Sequence, residues 1–172
     1  MSEIPYWVLS LAYWLHMLAT VVWIGGMFVL SVLIMPYVKK NLTPEQRISF
    51  LSGLQQKFQP VGWLSLVVLG ATGMFQMSEH PLYEGFLSIH NNWAVALFVK
   101  HILVVILVVF MGIMTWITLP KLKRLAMAQN LGKAVDPIER SKLERSEITI
   151  NRINIVLSIL VLLFTALARS VM

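Results

Sequence analysis

The sequence contains no cysteine among its 172 residues. Disulfides, thiolate zinc sites and cysteine-ligated iron–sulfur clusters are therefore excluded. Charged residues are also scarce, at 13% of the chain, where average soluble domains have roughly 25%. The sequence carries no phosphate-binding loop, no Ser–His–Asp combination and no paired carboxylates within its apolar runs. These absences disfavour hydrolysis and phosphoryl transfer.

Four long apolar runs take up most of the chain, which is 58% hydrophobic. They cover approximately residues 7–35, 60–77, 93–119 and 153–168. Apolar runs of about 20 residues are typical of membrane-spanning helices. Lipid accepts only helices or closed barrels, and the runs lack the alternation of strands. The sequence therefore predicts an all-α integral membrane protein, a single four-transmembrane-helix bundle spanning residues 1–172.

The basic residues indicate how the bundle is oriented. Of the 14 Lys and Arg residues, all except Lys100 and Arg169 lie between runs one and two or between runs three and four. Loops rich in Lys and Arg stay in the cytoplasm. This predicts an N-out, C-out, multi-pass protein of a bacterial inner (plasma) membrane. The net charge of +6 is then a consequence of topology, and no nucleic-acid partner is expected.

Two helix starts are encoded outside the apolar runs. Thr43 followed by Pro44 and Gln46 has the pattern of a capping box, and a second start signal begins at Asp136. The helix from Pro137 is expected to continue into the fourth run. Its charged segment, residues 139–147, is interpreted as a solvated face, with a docking surface for a partner subunit as the alternative.

Two histidines lie at similar depth in different apolar runs. His16 is nine residues beyond Trp7 and His101 is eight beyond Trp93, so each lies about 12–14 Å along its helix from the outer interface. Histidines within lipid are expensive and usually bind or move something. An imidazole from each of two helices is what axial ligation of haem iron requires. The sequence therefore predicts a haem site at His16 and His101, with hydrogen bonding between helices as the alternative.

Other residues at the same depth extend this hypothesis. Gly70 and Gly73 in the second run fall in the outer layer, where they either pack helices or leave space for a flat ligand. Lys100 adjoins His101 and either extends to the interface, contacts a haem propionate or replaces His101 as a ligand. Arg169 is a candidate partner for a propionate or an ordinary interfacial anchor.

A competing metal site lies at the outer end of the second run. Met74, Met77 and His80 recur every three residues, and thioether and imidazole ligands suit Cu(I). On an ideal helix Met74 and His80 diverge by about 120°, so one ion requires the helix to end near Met77. The alternative is that the methionines only fill the core.

These residues resemble a known family. His16 followed six residues later by Trp23-Ile24-Gly25-Gly26 is similar to the first-helix signature of copper-resistance protein D (CopD) domains. Phe58 and the apolar run to the Gly70–Gly73 segment resemble the family's next helix. Lys100 matches the usual lysine of its third helix, and Pro120 matches the end of that helix. The resemblance covers about residues 10–125. It implies copper uptake from the periplasm.

A similar helix pattern occurs in the HemJ-type protoporphyrinogen oxidases, and that resemblance implies haem b held by His16 and Lys100. We therefore expect a haem b protein that passes electrons, with copper transport and an accessory subunit without cofactor as alternatives. Electron transfer or transport is favoured over catalysis. The expected partners are the lipid bilayer, a membrane or periplasmic redox protein, and further subunits in a homo-oligomer or larger complex.

Overall fold

A computed structural model describes residues 5–81, 83, 85, 89–133 and 135–170. Its helices are α1 (Tyr6–Asn41), α2 (Pro44–Ser78), α3 (Asn92–Asn130) and α4 (Pro137–Ser170). All four are long and apolar enough to cross a membrane, and the described residues contain no strand. The prediction of an all-α, four-helix membrane protein is confirmed.

Each helix is longer than the apolar run within it. The capping box at Thr43 forms as predicted, with its hydroxyl accepting from the Gln46 amide and the Gln46 side chain accepting from the Thr43 amide. From there α2 continues without a break through Pro60. The helix that begins at Pro137 likewise enters the fourth apolar run, as the sequence predicts.

Prolines inside α1 and α3 coincide with wider helical turns. The segments Val29–Ile34 and Met114–Thr118 are π-helical, and they directly precede the turns that contain Pro36 and Pro120. A proline in a helix removes an amide donor and its ring clashes with the carbonyl four residues earlier. A π-type bulge widens the turn and relieves that clash without ending the helix.

The helices form a bundle with two distinct ends. We call the end where α1 ends and α2 begins the basic end, and the end where α1 begins and α4 ends the terminal end. Helix α1 packs along α2, and α3 packs along α4. The first pair meets the second through contacts of α2 with the last part of α3 and of α1 with α4. The α1–α3 pair is not among the closely packed pairs.

Three apolar clusters lie along this bundle. One surrounds the buried Leu122 at the basic end, one surrounds Trp23 and Leu107 in the middle, and one joins Met77 to Trp93 at the terminal end. The half of the bundle between the middle and terminal clusters, the terminal half, contains the predicted histidine site.

Candidate functional site in the terminal half

His16 belongs to the face of α1 that turns toward the other helices. It lies on one line with the buried residues Ala12, Ala19 and Trp23, at spacings of three or four residues. The side chain itself is half-buried. The imidazole is therefore directed along the bundle-facing stripe of α1.

One hydrogen bond fixes the orientation and the tautomer of His16. Its Nδ1 lies 2.9 Å from the Thr72 hydroxyl on α2, and that hydroxyl donates its proton to the Val68 carbonyl at 2.6 Å. Since the threonine proton is already used, the hydroxyl accepts from the Nδ1–H of His16. The lone pair of a neutral imidazole is then on Nε2, the nitrogen directed away from Thr72.

Gly73 makes room for this ring. A Cβ added at Gly73 would lie 3.3 Å from Cε1 of His16, closer than most real Cβ contacts. Gly70 has a different environment, because it is exposed and an added Cβ would meet no atom within 4 Å. Of the two glycines predicted to flank the site, the structure brings only Gly73 to His16.

Lys100 faces the bundle more directly than its neighbour His101. It lies on the buried line of α3 formed by Trp93, Ala96, Leu107 and Met111. One residue corresponds to about 100° around a helix, so His101 lies on the flank of that line. The Nδ1–H of His101 donates to the Leu97 carbonyl at 2.6 Å, within its own helix.

The terminal half collects positive charge around His16. Lys100 and Arg169 are the charged groups that act electrostatically on it, and Arg169 acts on Lys100 as well. The Arg169 guanidinium also lies 5.6 Å from the centre of the Tyr13 ring on α1. Among the described residues, both ion pairs are elsewhere, at the basic end, and neither Lys100 nor Arg169 takes part in one. An anionic ligand would match this environment.

The three residues of the copper hypothesis have different surroundings. Met74 is 61% exposed on the outside of the bundle, whereas Met77 is 9% exposed and packs in the terminal cluster. His80 stacks on Trp93, with ring centres 4.2 Å apart. Nothing in the described part of the chain brings three or more His, Asp or Glu side chains together to hold a metal ion.

A buried polar cluster at the basic end corrects one interpretation of the sequence. Glu147 is 0% exposed and accepts a hydrogen bond of 2.9 Å from the Gln55 amide on α2, so the segment 139–147 is not uniformly solvated. Burial raises the pKa of Glu147 to about 7, and the neighbouring Glu144 adds to that effect. A cavity of about 70 Å³ adjoins the cluster, lined in part by Gln55, Asn151 and Asn154.

Sequence reasoning missed Thr72, Gln55 and Glu147, although a signal existed for the last. Glu147 continues the stripe formed by Asn151, Asn154 and Ser158, at spacings of three or four residues. Such a polar stripe on an apolar helix usually faces other helices, and all three of these residues are buried. Thr72 had no such signal, because a threonine in an apolar run usually bonds within its own helix.

Comparisons of this chain with protein-family models, with curated proteins and with solved structures found no match. The resemblance to CopD and HemJ-type proteins therefore stays a prediction based on the residues that carry it.

Proposed function

We propose that this chain is a membrane protein that binds b-type haem in its terminal half, with His16 as one axial ligand, and passes electrons. The observation that carries the proposal is the hydrogen bond from His16 Nδ1 to Thr72. Histidines that bind metals almost always donate their second ring nitrogen to such a partner, which fixes the ring and its tautomer. Nε2 of His16 then has the lone pair that iron requires.

Two residues on α3 are candidates for the opposite ligand. We favour Lys100, because it lies on the bundle-facing line of α3. His101 is the second candidate, since its Nδ1–H bond to Leu97 leaves the lone pair on Nε2 in the neutral form. A lysine ligand must first lose its proton, whereas a neutral imidazole binds directly.

The charges of the terminal half suit the rest of the cofactor. Haem b has two propionates, and in lipid each needs a cation or a hydrogen-bond donor. Arg169 has no ion-pair partner in the described residues and is available for one of them. Bound haem supplies one-electron transfer, while the protein contributes the axial ligands, their orientation and the surrounding charge.

The distribution of Lys and Arg supports a bacterial inner-membrane location with both termini outside. The terminal half would then face the periplasm, and a periplasmic or membrane redox protein is the expected partner. Copper handling and a cofactor-free role as an accessory subunit are the rival functions. No contact among the described residues favours either of them over haem.

An optical spectrum of the purified protein, expressed with ample haem, tests the proposal. We expect a Soret band and an α band that sharpens on reduction by dithionite. His16→Ala should lose most of the low-spin signal, because it removes an axial ligand. His90→Ala, a matched change in the 79–91 link, should keep the parent spectrum.

Optical spectra of two further variants identify the second haem ligand. Loss of the low-spin signal in Lys100→Ala alone would assign the lysine, and loss in His101→Ala alone would assign the histidine. A parent protein without a Soret band would overturn the haem proposal, and stoichiometric copper in that preparation would favour copper handling.

A further inference from the structure

A cleft of about 240 Å³ opens between α1 and α4 at the basic end. Its polar lining consists of Ser31 and Lys39 from α1 and Asn151 and Arg152 from α4, and the remaining lining residues are apolar. All four polar side chains can donate hydrogen bonds, and two of them carry a positive charge. The described residues that line the cleft include no carboxylate.

Two of these donors are buried without a partner. Among the described residues, neither Oγ of Ser31 nor Nδ2 of Asn151 has a hydrogen-bond partner, and Asn151 is only 6% exposed. A buried donor without a hydrogen-bond partner destabilises the folded protein. Both residues line this cleft, and Asn151 also lines the cavity beside Gln55, so a ligand in the cleft can supply acceptors to both residues.

The nearest buried acid serves another contact. Glu147 lies one helical turn before Asn151, but it does not line the cleft, and its Oε1 accepts a hydrogen bond from Gln55 on α2. The lining therefore presents donors and cations to whatever enters.

The position of the two cations indicates where the ligand comes from. Lys39 follows the first apolar run and Arg152 directly precedes the fourth, so both lie at the depth of lipid headgroups. Both side chains are exposed. An arginine fork binds two oxygens of a phosphate, while a lysine supplies a mobile point charge.

We propose that this cleft binds the phosphate group of an anionic phospholipid from the leaflet at the basic end. Arg152 and Lys39 neutralise the phosphate, Ser31 and Asn151 donate to its oxygens, and the apolar lining contacts the first part of the acyl chains. The site is separate from the proposed haem site, and neither proposal depends on the other.

The proposal is tested on the full chain in a neutral detergent. Short-chain phosphatidylglycerol, short-chain phosphatidylcholine and inorganic phosphate are titrated separately, and bound lipid is counted by native mass spectrometry. We expect phosphatidylglycerol to bind clearly more tightly than phosphatidylcholine, because its headgroup keeps a net negative charge. Arg152→Gln should weaken phosphatidylglycerol binding by at least about tenfold, because it removes a charge-assisted hydrogen bond to the phosphate.

Lys40→Gln is the matched control, because Lys40 is exposed beside Lys39 but does not line the cleft. Its binding should stay within about twofold of the parent, and Ser31→Ala should fall between the two variants. An equal loss in Lys40→Gln and Arg152→Gln would reduce the effect to general surface charge and overturn the site. Tighter binding of inorganic phosphate than of phosphatidylglycerol would instead make the ligand a soluble one and overturn the lipid assignment.

Discussion

The two ends of this bundle differ in whether their charged side chains form ion pairs between helices. Both described ion pairs lie at the basic end, including Arg140 with Glu45 at 2.8 Å, and Oε1 of the buried Glu147 accepts from Gln55 there, although cations such as Lys39 take part in neither pair. In the terminal half, Lys100 and Arg169 have no ion-pair partner in the described residues. Paired groups hold helices together, whereas unpaired cations near lipid are costly unless something else neutralises them.

The apolar packing differs between the ends as well. The cluster at the basic end joins α1, α2, α3 and α4 through buried leucines, isoleucine and valine. The terminal cluster consists mainly of alanines with Met77 and Trp93. We infer that the basic end is the stable frame of the molecule, because its core has larger apolar side chains than the alanine-rich core of the terminal half, where we propose that haem binds.

The membrane topology determines which end of the bundle faces the periplasm. Labelling of a cysteine from one side of the membrane tests it, because each end is either accessible or inaccessible. Because the chain has no cysteine, a single introduced cysteine is the only thiol. We expect Ser78→Cys to react with a membrane-impermeant maleimide added to intact spheroplasts, and Ser141→Cys to react only after lysis. Both positions are exposed serines at opposite ends of the bundle, so each controls for the other. The reverse labelling pattern would put the proposed haem site on the cytoplasmic side.

If the basic end is the stable frame of the molecule, shortening a buried side chain there should strongly lower the free energy of unfolding. Leu122 is 0% exposed, so Leu122→Ala should lower the free energy of unfolding by about 2–5 kcal/mol through lost burial and a residual cavity. Leu131→Ala, at a 73% exposed leucine, should change it by less than about 0.5 kcal/mol. Unfolding in a mild detergent measures both, and equal losses would contradict the comparison between buried and exposed leucines.

The fold could be predicted from the sequence because long apolar runs in lipid have few structural alternatives. The capping box at Thr43 could be predicted because its hydrogen bonds join residues that are only three apart in sequence. They also singled out His16, since a histidine is conspicuous in such a run, and its role as a ligand stays a prediction. They did not find Thr72 or Gln55, because those roles depend on which helices meet, and helix pairing is not readable from periodicity alone. The burial of Glu147 also depends on which helices meet. The neighbouring charged residues made its segment resemble a solvated one.

The buried Glu147 predicts a pH-dependent stability of the basic end. Burial raises its folded pKa from 4.5 to about 7, and Glu144 adds repulsion, while the Gln55 hydrogen bond opposes both. Because the folded protein holds the proton more tightly than the unfolded chain, stability is greatest below about pH 4.5 and falls as the pH rises toward 7. At about 1.4 kcal/mol per pKa unit, the loss is on the order of 3–4 kcal/mol.

Glu147→Gln removes the titrating group and keeps the shape of the side chain. We expect the variant to be more stable than the parent at pH 8 and similar to it at pH 4, as measured by unfolding midpoints in detergent. Glu79→Gln, at an exposed glutamate in the other link, should leave the parent profile unchanged. A parent whose stability rises between pH 5 and 8 while Glu147→Gln shows the same rise would contradict this assignment.

The smallest change in the free energy of unfolding is expected for the solvent-exposed ion pair at the basic end. The Arg124 guanidinium and the Glu139 carboxylate are 3.3 Å apart, but their side chains are 75% and 42% exposed. Water and salt screen such a pair, and two long side chains lose freedom to form it, so exposed pairs contribute little. Arg124→Gln should change the free energy of unfolding by less than about 0.5 kcal/mol, no more than Arg145→Gln, at an exposed arginine outside both described ion pairs. A loss above about 1 kcal/mol that disappears in high salt would mean that this pair helps to hold α3 against α4, and that the frame depends on charge as well as on the leucine cluster.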